Sequence, residues 1–162
     1  IAAPDSGAGS SAAVRAAGNS VVRVTGTTCG VGVMGSGWVI APGTVVTNAH
    51  VVAGQDDTQV QTLDGIEVDA TPIAYNPRND IAVLSAGIDE PALPILSRAP
   101  PGTSAAVLGY PLDGPLLITP ARAGNTDQVL GDDAYGNENA LAAVTVNTAS
   151  TFCDCVLMAS TV

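Results

Sequence analysis

The sequence predicts an all-β fold of short strands divided into two unequal halves. Three observations predict it. Apolar runs are short, rich in Val, Ile and Thr, and closed by Gly, Pro, Asn or Asp, the composition of strands joined by turns. No stretch places apolar residues at helical spacing over a useful length, and no internal repeat is present. A proline-dense run, "IDEPALPILSRAPPG", then separates about six strands from a shorter second set, because no central strand tolerates that density of proline. Hydrophobic residues make up 46% of the 162, enough for one domain with a real core, but aromatics only 3%. That core is therefore expected to be Val, Ile, Leu and Ala.

The elements follow in order. Residues 1–20 are Ala-, Gly- and Ser-rich without periodicity and read as a flexible arm or linker. From Val21 the character changes: "VVRVT" and "GVGVM" are short β-rich runs closed by glycine. "GWVIAPGTVVT" is strand, turn, strand, since Pro42 and Gly43 supply turn geometry between apolar runs. "TQVQTL" alternates with period two, and "GIEVDATPIAY" alternates before continuing past Pro72. "DIAVLSAG" is continuously apolar between Asp80 and Gly87, a pattern expected of a strand buried on both faces. Residues 21–90 thus hold the first strand set and 91–103 the connector. "TSAAVLGYP", "PLLITPAR" and "LAAVTVNT" form the second set within 104–162. Gly35, Gly37 and Gly109 read as close-packing or turn positions, and Arg122 as a solvated side chain.

Charge and cysteine content exclude several functions. All five basic residues are arginines against 15 acidic ones, a formal charge of −10. Such a surface repels phosphate backbones and anionic membranes, so no nucleic-acid partner is expected. No run approaches the roughly 18 apolar residues of a membrane span, and the first residues lack the basic and apolar regions of an intact signal peptide. Cys29, Cys153 and Cys155 allow one bridge in an oxidising compartment.

"GTVVTNAHVVAG" holds the single histidine, His50, where the chain leaves a strand for a tight turn. Asp80 opens "IAVL" 30 residues later, room for two intervening strands that could bring the side chains together. A carboxylate at a strand end can accept a bond from imidazole Nδ1–H, fix the tautomer and leave Nε2 as a base. On residue types alone, His50 could equally pack and Asp80 cap a turn.

The longer strings decide between these. "GSGWVIAPGTVVTNAHVV" followed by "NDIAVL" resembles the His and Asp segments of trypsin-like serine proteases. "AVRAAGNSVVRVTG", "TPIAYNPRNDIAVL", "PPGTSAAVLGYP", "ITPAR" and "DAYGNENAL" extend the resemblance to the MarP-type periplasmic acid-resistance proteases of actinobacteria. The resemblance implies a two-barrel all-β fold, His50 as general base, Asp80 as its orienting partner, and a protein or peptide substrate. It also implies a periplasmic or extracellular setting, with membrane attachment only through an anchor outside this chain. Oligomeric state and peptide specificity are left open.

The third triad member does not follow from it. The family carries G-[DN]-S-G-G-P, whose Ser attacks and whose backbone N–H groups form the oxyanion hole, and no such string is present. From about Thr145 the sequence departs from the pattern, so the second barrel is expected to be truncated or altered at its end. Ser150 and Ser160 are the late serines, and Ser160 sits in "LMASTV" without the flanking glycines that a nucleophile turn uses. The alternative to an active endopeptidase is therefore a non-catalytic remnant that keeps His and Asp. In MarP-type relatives the cysteine at the position of Cys29 pairs with one near the far end of the domain, in the region that departs from the pattern here; whether Cys153 or Cys155 takes that partner's place is left open. "CDC" falls short of the four N or S ligands of structural zinc, so neither metal nor cofactor is expected.

Overall fold

The computed structural model describes residues 2–95, 99–148 and 156–158. Ten strands are assigned among them: β1 (Val21–Thr28), β2 (Val31–Ala41), β3 (Thr44–Thr47), β4 (Gln59–Gln61), β5 (Glu67–Asn76), β6 (Ile81–Ala86), β7 (Ser104–Gly109), β8 (Leu117–Asp132), β9 (Glu138–Thr148) and β10 (Val156–Met158). Two short helices join them, α1 (Ala12–Ala17) and α2 (Ala49–Val52). Strands β1 to β6 close into a barrel in the order β1-β2-β3-β6-β5-β4, every neighbouring pair antiparallel. The second sheet runs β10-β7-β8-β9. The fold is mostly β, a closed six-stranded barrel beside a partial second sheet.

The barrel interior is aliphatic, as the scarcity of aromatics demands. Val22, Val24, Val39, Val45, Val60 and Leu84 are fully buried there, each contributing about 1.5–3 kcal/mol of transfer free energy. Two glycines of β2 let neighbouring elements approach. A Cβ on Gly35 would stand 2.5 Å from Val51 Cγ2, and one on Gly37 2.9 Å from the Val46 carbonyl oxygen. The "GSGW" glycines are thus close-packing positions, and Gly35 is what seats α2 against β2.

Three expectations are corrected. Residues 8–20 are not an arm: 3-10 turns at Ala8–Ser10 and Gly18–Ser20 flank α1, whose N-cap Ser11 accepts from Val14 N. Val14, 2% exposed, joins Val21, Ala106, Leu108 and Tyr110 in a second core cluster between this segment and β7. One buried valine in an Ala/Ser run leaves no periodic trace. Strand β6 is not buried on both faces; Ala82, Leu84 and Ala86 face the core while Ile81 and Ser85 are exposed, because its outer face in the closed barrel meets solvent. "GVGVM" and "GWVIA" are one strand, β2, since an extended glycine interrupts no pairing.

The halves are also joined by polar contacts. In exposed contacts Arg122 also ties β8 to the N-terminal segment and the connector, its Nε donating to Ala3 O and its Nη1 to Gly102 O. Tyr110 N donates to the buried Ser36 Oγ at 2.8 Å, and the Arg23 guanidinium lies 5.0 Å from the Tyr110 ring centroid. Cys29 is exposed in the β1–β2 turn and has no disulfide partner among the described residues, and Cys153 and Cys155 lie outside them. No helix among the described residues is long and apolar enough to cross a membrane.

Candidate active site

Strand β3 delivers the chain to α2. Thr47, buried at its end, donates through Oγ1 to Ser36 O and anchors the exit from the barrel wall. Asn48 stays extended (φ −75°, ψ 143°) at the N-cap position, and one helical turn follows. Ala49, Val51 and Val52 are buried, so the turn's remaining face carries His50 outward. The helix is held by three apolar contacts and a glycine-sized gap in β2 rather than by its own hydrogen bonds.

Asp80 arrives from the opposite side, at the end of the turn between β5 and β6. Its N–H donates to Pro77 O at 3.3 Å, and its backbone is left-handed, with φ +51°. That region costs a non-glycine residue about 1–2 kcal/mol, least for Asp and Asn. The side chain it presents is bound by residues 48 and 50. Asp80 Oδ1 accepts from His50 N at 2.9 Å, and Oδ2 lies 2.7 Å from His50 Nδ1 and accepts from Asn48 Nδ2 at 3.1 Å. Asn48 Nδ2 also reaches Asp80 O at 3.3 Å.

An ionised carboxylate only accepts, so the proton of the 2.7 Å contact belongs to Nδ1. The His50 side chain is 44% exposed and that of Asp80 16%. The imidazole is thus exposed, and the carboxylate bonded to it is the more buried of the two.

The two residues picked out from sequence are therefore brought together. Asn48, which ties both ends of Asp80 to α2, was passed over although it stands in the same "TNAH" string. A further contribution comes from the β8–β9 hairpin. Its tip places Tyr135 beside Tyr75, ring centroids 6.5 Å apart and tilted by 56°. Partial burial, then a hydrogen bond with Tyr135, then the charges of Tyr135, Asp80 and Asp133 push the Tyr75 phenol up to about 12. Tyr75 and Tyr135 line an open cleft of about 270 Å³ with Val52, Ala53, Gly54 and Pro72. Ser150 and Ser160 lie outside the described residues, and among those described no three His, Cys, Asp or Glu side chains could hold a metal.

The chain as a whole has counterparts among known proteins. Residues 35–153 match the family model of the trypsin-like peptidase domain. The chain is 36% identical over 142 residues to serine protease Rv3671c of Mycobacterium tuberculosis, covering 85% of this chain and 35% of that protein. It is 32% identical over 108 residues to a probable periplasmic serine endoprotease, DegP-like, of Halomonas elongata, covering 63% of this chain and 22% of that protein. Among solved structures, the active form of the Rv3671c protease superposes with a TM-score of 0.87 at 32% identity, covering 96% of this chain and 71% of that one. The chain thus spans about a third of the length of the mycobacterial relative.

Proposed function

Since the chain belongs to the trypsin-like peptidase family, we propose that it is a serine endopeptidase domain in which His50 and Asp80 are the base and its orienting partner. The observation that carries this reading is the two-pronged contact of His50 with Asp80, 2.7 Å at the ring and 2.9 Å at the backbone. A histidine that merely packed would need no carboxylate bonded to its ring, and its side chain would not be 44% exposed.

In the proposed reaction His50 Nε2 takes the proton of a serine hydroxyl as its oxygen adds to the scissile carbonyl carbon. The imidazolium then returns that proton to the departing amine, and the C–N bond breaks to leave an acyl-enzyme. Water, deprotonated by the same Nε2, adds to the acyl carbon and releases the acid and the serine. Asp80 stays ionised throughout, keeping Nδ1 protonated and stabilising the imidazolium. The substrate class is a peptide or protein. A periplasmic or extracellular setting is part of the proposal, supported by the DegP-like relatives that are named periplasmic, with any membrane anchor belonging to sequence beyond these residues.

One observation favours a second reading. The sequence has no G-[DN]-S-G-G-P string, and without its nucleophile and oxyanion donors the pair belongs to a remnant with no covalent route. Each missing donor removes about 2.7–4 kcal/mol of transition-state stabilisation. A fluorophosphonate probe with mass mapping separates the two. Stoichiometric labelling of a serine, abolished in His50→Ala, establishes the endopeptidase. Absence of labelling in the folded chain establishes the remnant.

A further inference from the structure

Asp80 is held from two sides, and only one of them belongs to its own barrel. Pro77 O accepts both the Asp80 N–H that closes the turn and, at 2.9 Å, the N–H of Ala134. Ala134 comes from the tip of the β8–β9 hairpin, in the second sheet, and its side chain packs on the barrel's core cluster. The next residue, Tyr135, lies against Tyr75 five residues before Asp80, and is 66% exposed despite that contact.

The tip itself is built to hold its shape. Asp133 N donates to Asn137 O at 2.8 Å, Gly136 N to Asp133 O at 2.9 Å, and Gly136 takes φ +79°. The Asp133 carboxylate accepts the N–H groups of Tyr135 and Asn137 at 2.9 and 2.8 Å and the Asn137 side-chain amide. A turn closed this way presents residues 134 and 135 in one orientation, so the bond of Ala134 to Pro77 and the contact of Tyr135 with Tyr75, at the end of β5 that leads into the turn, are rigid ones.

We propose that Tyr135 and Ala134 are positioning residues for the Asp80 carboxylate, holding its turn from the second sheet so that Oδ2 stays under His50 Nδ1. The proposal takes the His50–Asp80 pair of the preceding section as the working pair. The physical ground is the left-handed backbone of Asp80. A strained residue persists only where its surroundings over-determine it, and the groups doing so here are Asn48 and His50, which bond its carboxylate, and Ala134, which bonds the Pro77 carbonyl that closes its turn. The charged and titratable groups around the turn are Asp133, Arg78, Tyr75, Tyr135 and His50 itself.

The single histidine makes the test direct. The downfield Nδ1–H proton of His50 is assigned without ambiguity in a chain with one imidazole, and it reports the hydrogen bond to Asp80 whether or not a nucleophile is present. Failure of the probe-labelling experiment would therefore not touch it. Tyr135→Ala and Ala134→Pro are expected to speed exchange of that proton with water by about tenfold, the scale of one hydrogen bond. Tyr135→Phe, which keeps the ring contact, is expected to stay within about twofold of the parent. Exposure of Tyr135 leaves the barrel folded in Tyr135→Ala, and the urea midpoint checks this. An exchange rate unchanged in both Tyr135→Ala and Ala134→Pro, with or without a lower midpoint, would overturn the proposal and leave an ordinary packing contact.

Discussion

His50 meets Asp80 through both its ring and its backbone, Nδ1 at 2.7 Å from Oδ2 and N at 2.9 Å from Oδ1. One carboxylate therefore fixes the imidazole and the first turn of α2 that carries it. Asp80→Asn keeps an acceptor for the backbone N–H and tolerates φ +51°, but its amide NH2 can face Nδ1 in place of an acceptor. We expect near-parental stability with loss of the Nδ1–H resonance. Asp80→Ala, which removes both carboxylate acceptors and suits the left-handed backbone less, is expected to cost about 1–3 kcal/mol in urea unfolding. Equal stability of the two variants would show that the carboxylate does not organise α2.

The seat of α2 is a missing side chain. Gly35→Ala would drive its Cβ to 2.5 Å from Cγ2 of Val51, a stiff, buried residue. The expected loss is about 1–3 kcal/mol. In the Gly35→Ala background, Val51→Ala should cost less than it does alone, since the truncation removes the clash. Strict additivity in that double-mutant cycle would mean that the two residues do not share the contact.

The hairpin tip carries its own pH dependence. Backbone and side-chain bonds from Asn137 outweigh an opposing desolvation and, with smaller help from the Tyr135 N–H and the Arg78 charge, hold the Asp133 carboxyl below 3.8. A depressed value contributes stability that is fully present above pH 3.8 and is lost as pH falls through the lower folded value. The Tyr135 and Asn137 amide resonances should therefore hold steady at neutral pH and move only in acid. In Asp133→Ala the acid transition should vanish. A transition centred well above pH 3.8 would contradict this.

Closure distinguishes the two strand sets. The barrel pairs every strand on both sides, whereas β9 is an edge of the open sheet among the described residues. Amide exchange is expected to be slower at Val24, Val45 and Leu84 than along β8 and β9 by hydrogen–deuterium exchange with mass spectrometry. Slower exchange in the second sheet would require stabilisation from elements outside it.

The strand-forming runs of the first half and the Pro42–Gly43 turn were legible in the residues themselves, and the pairing of His50 with Asp80 in the family resemblance that their strings carry; the continuity of β2 and the solvent face of β6 were not. Alternation and turn chemistry are local, and two short strings carry the histidine and the aspartate. Tertiary structure alone decided the rest. Val14 finds its cluster only because β7 folds beneath α1; the left-handed backbone of Asp80 is a consequence of what grips it; and Ala134 meets Pro77 across more than fifty residues of chain. Each of these depends on groups distant in sequence being held at fixed separation by packed sheets. That information lies in the closure of the chain on itself, and no window of neighbouring residues contains it.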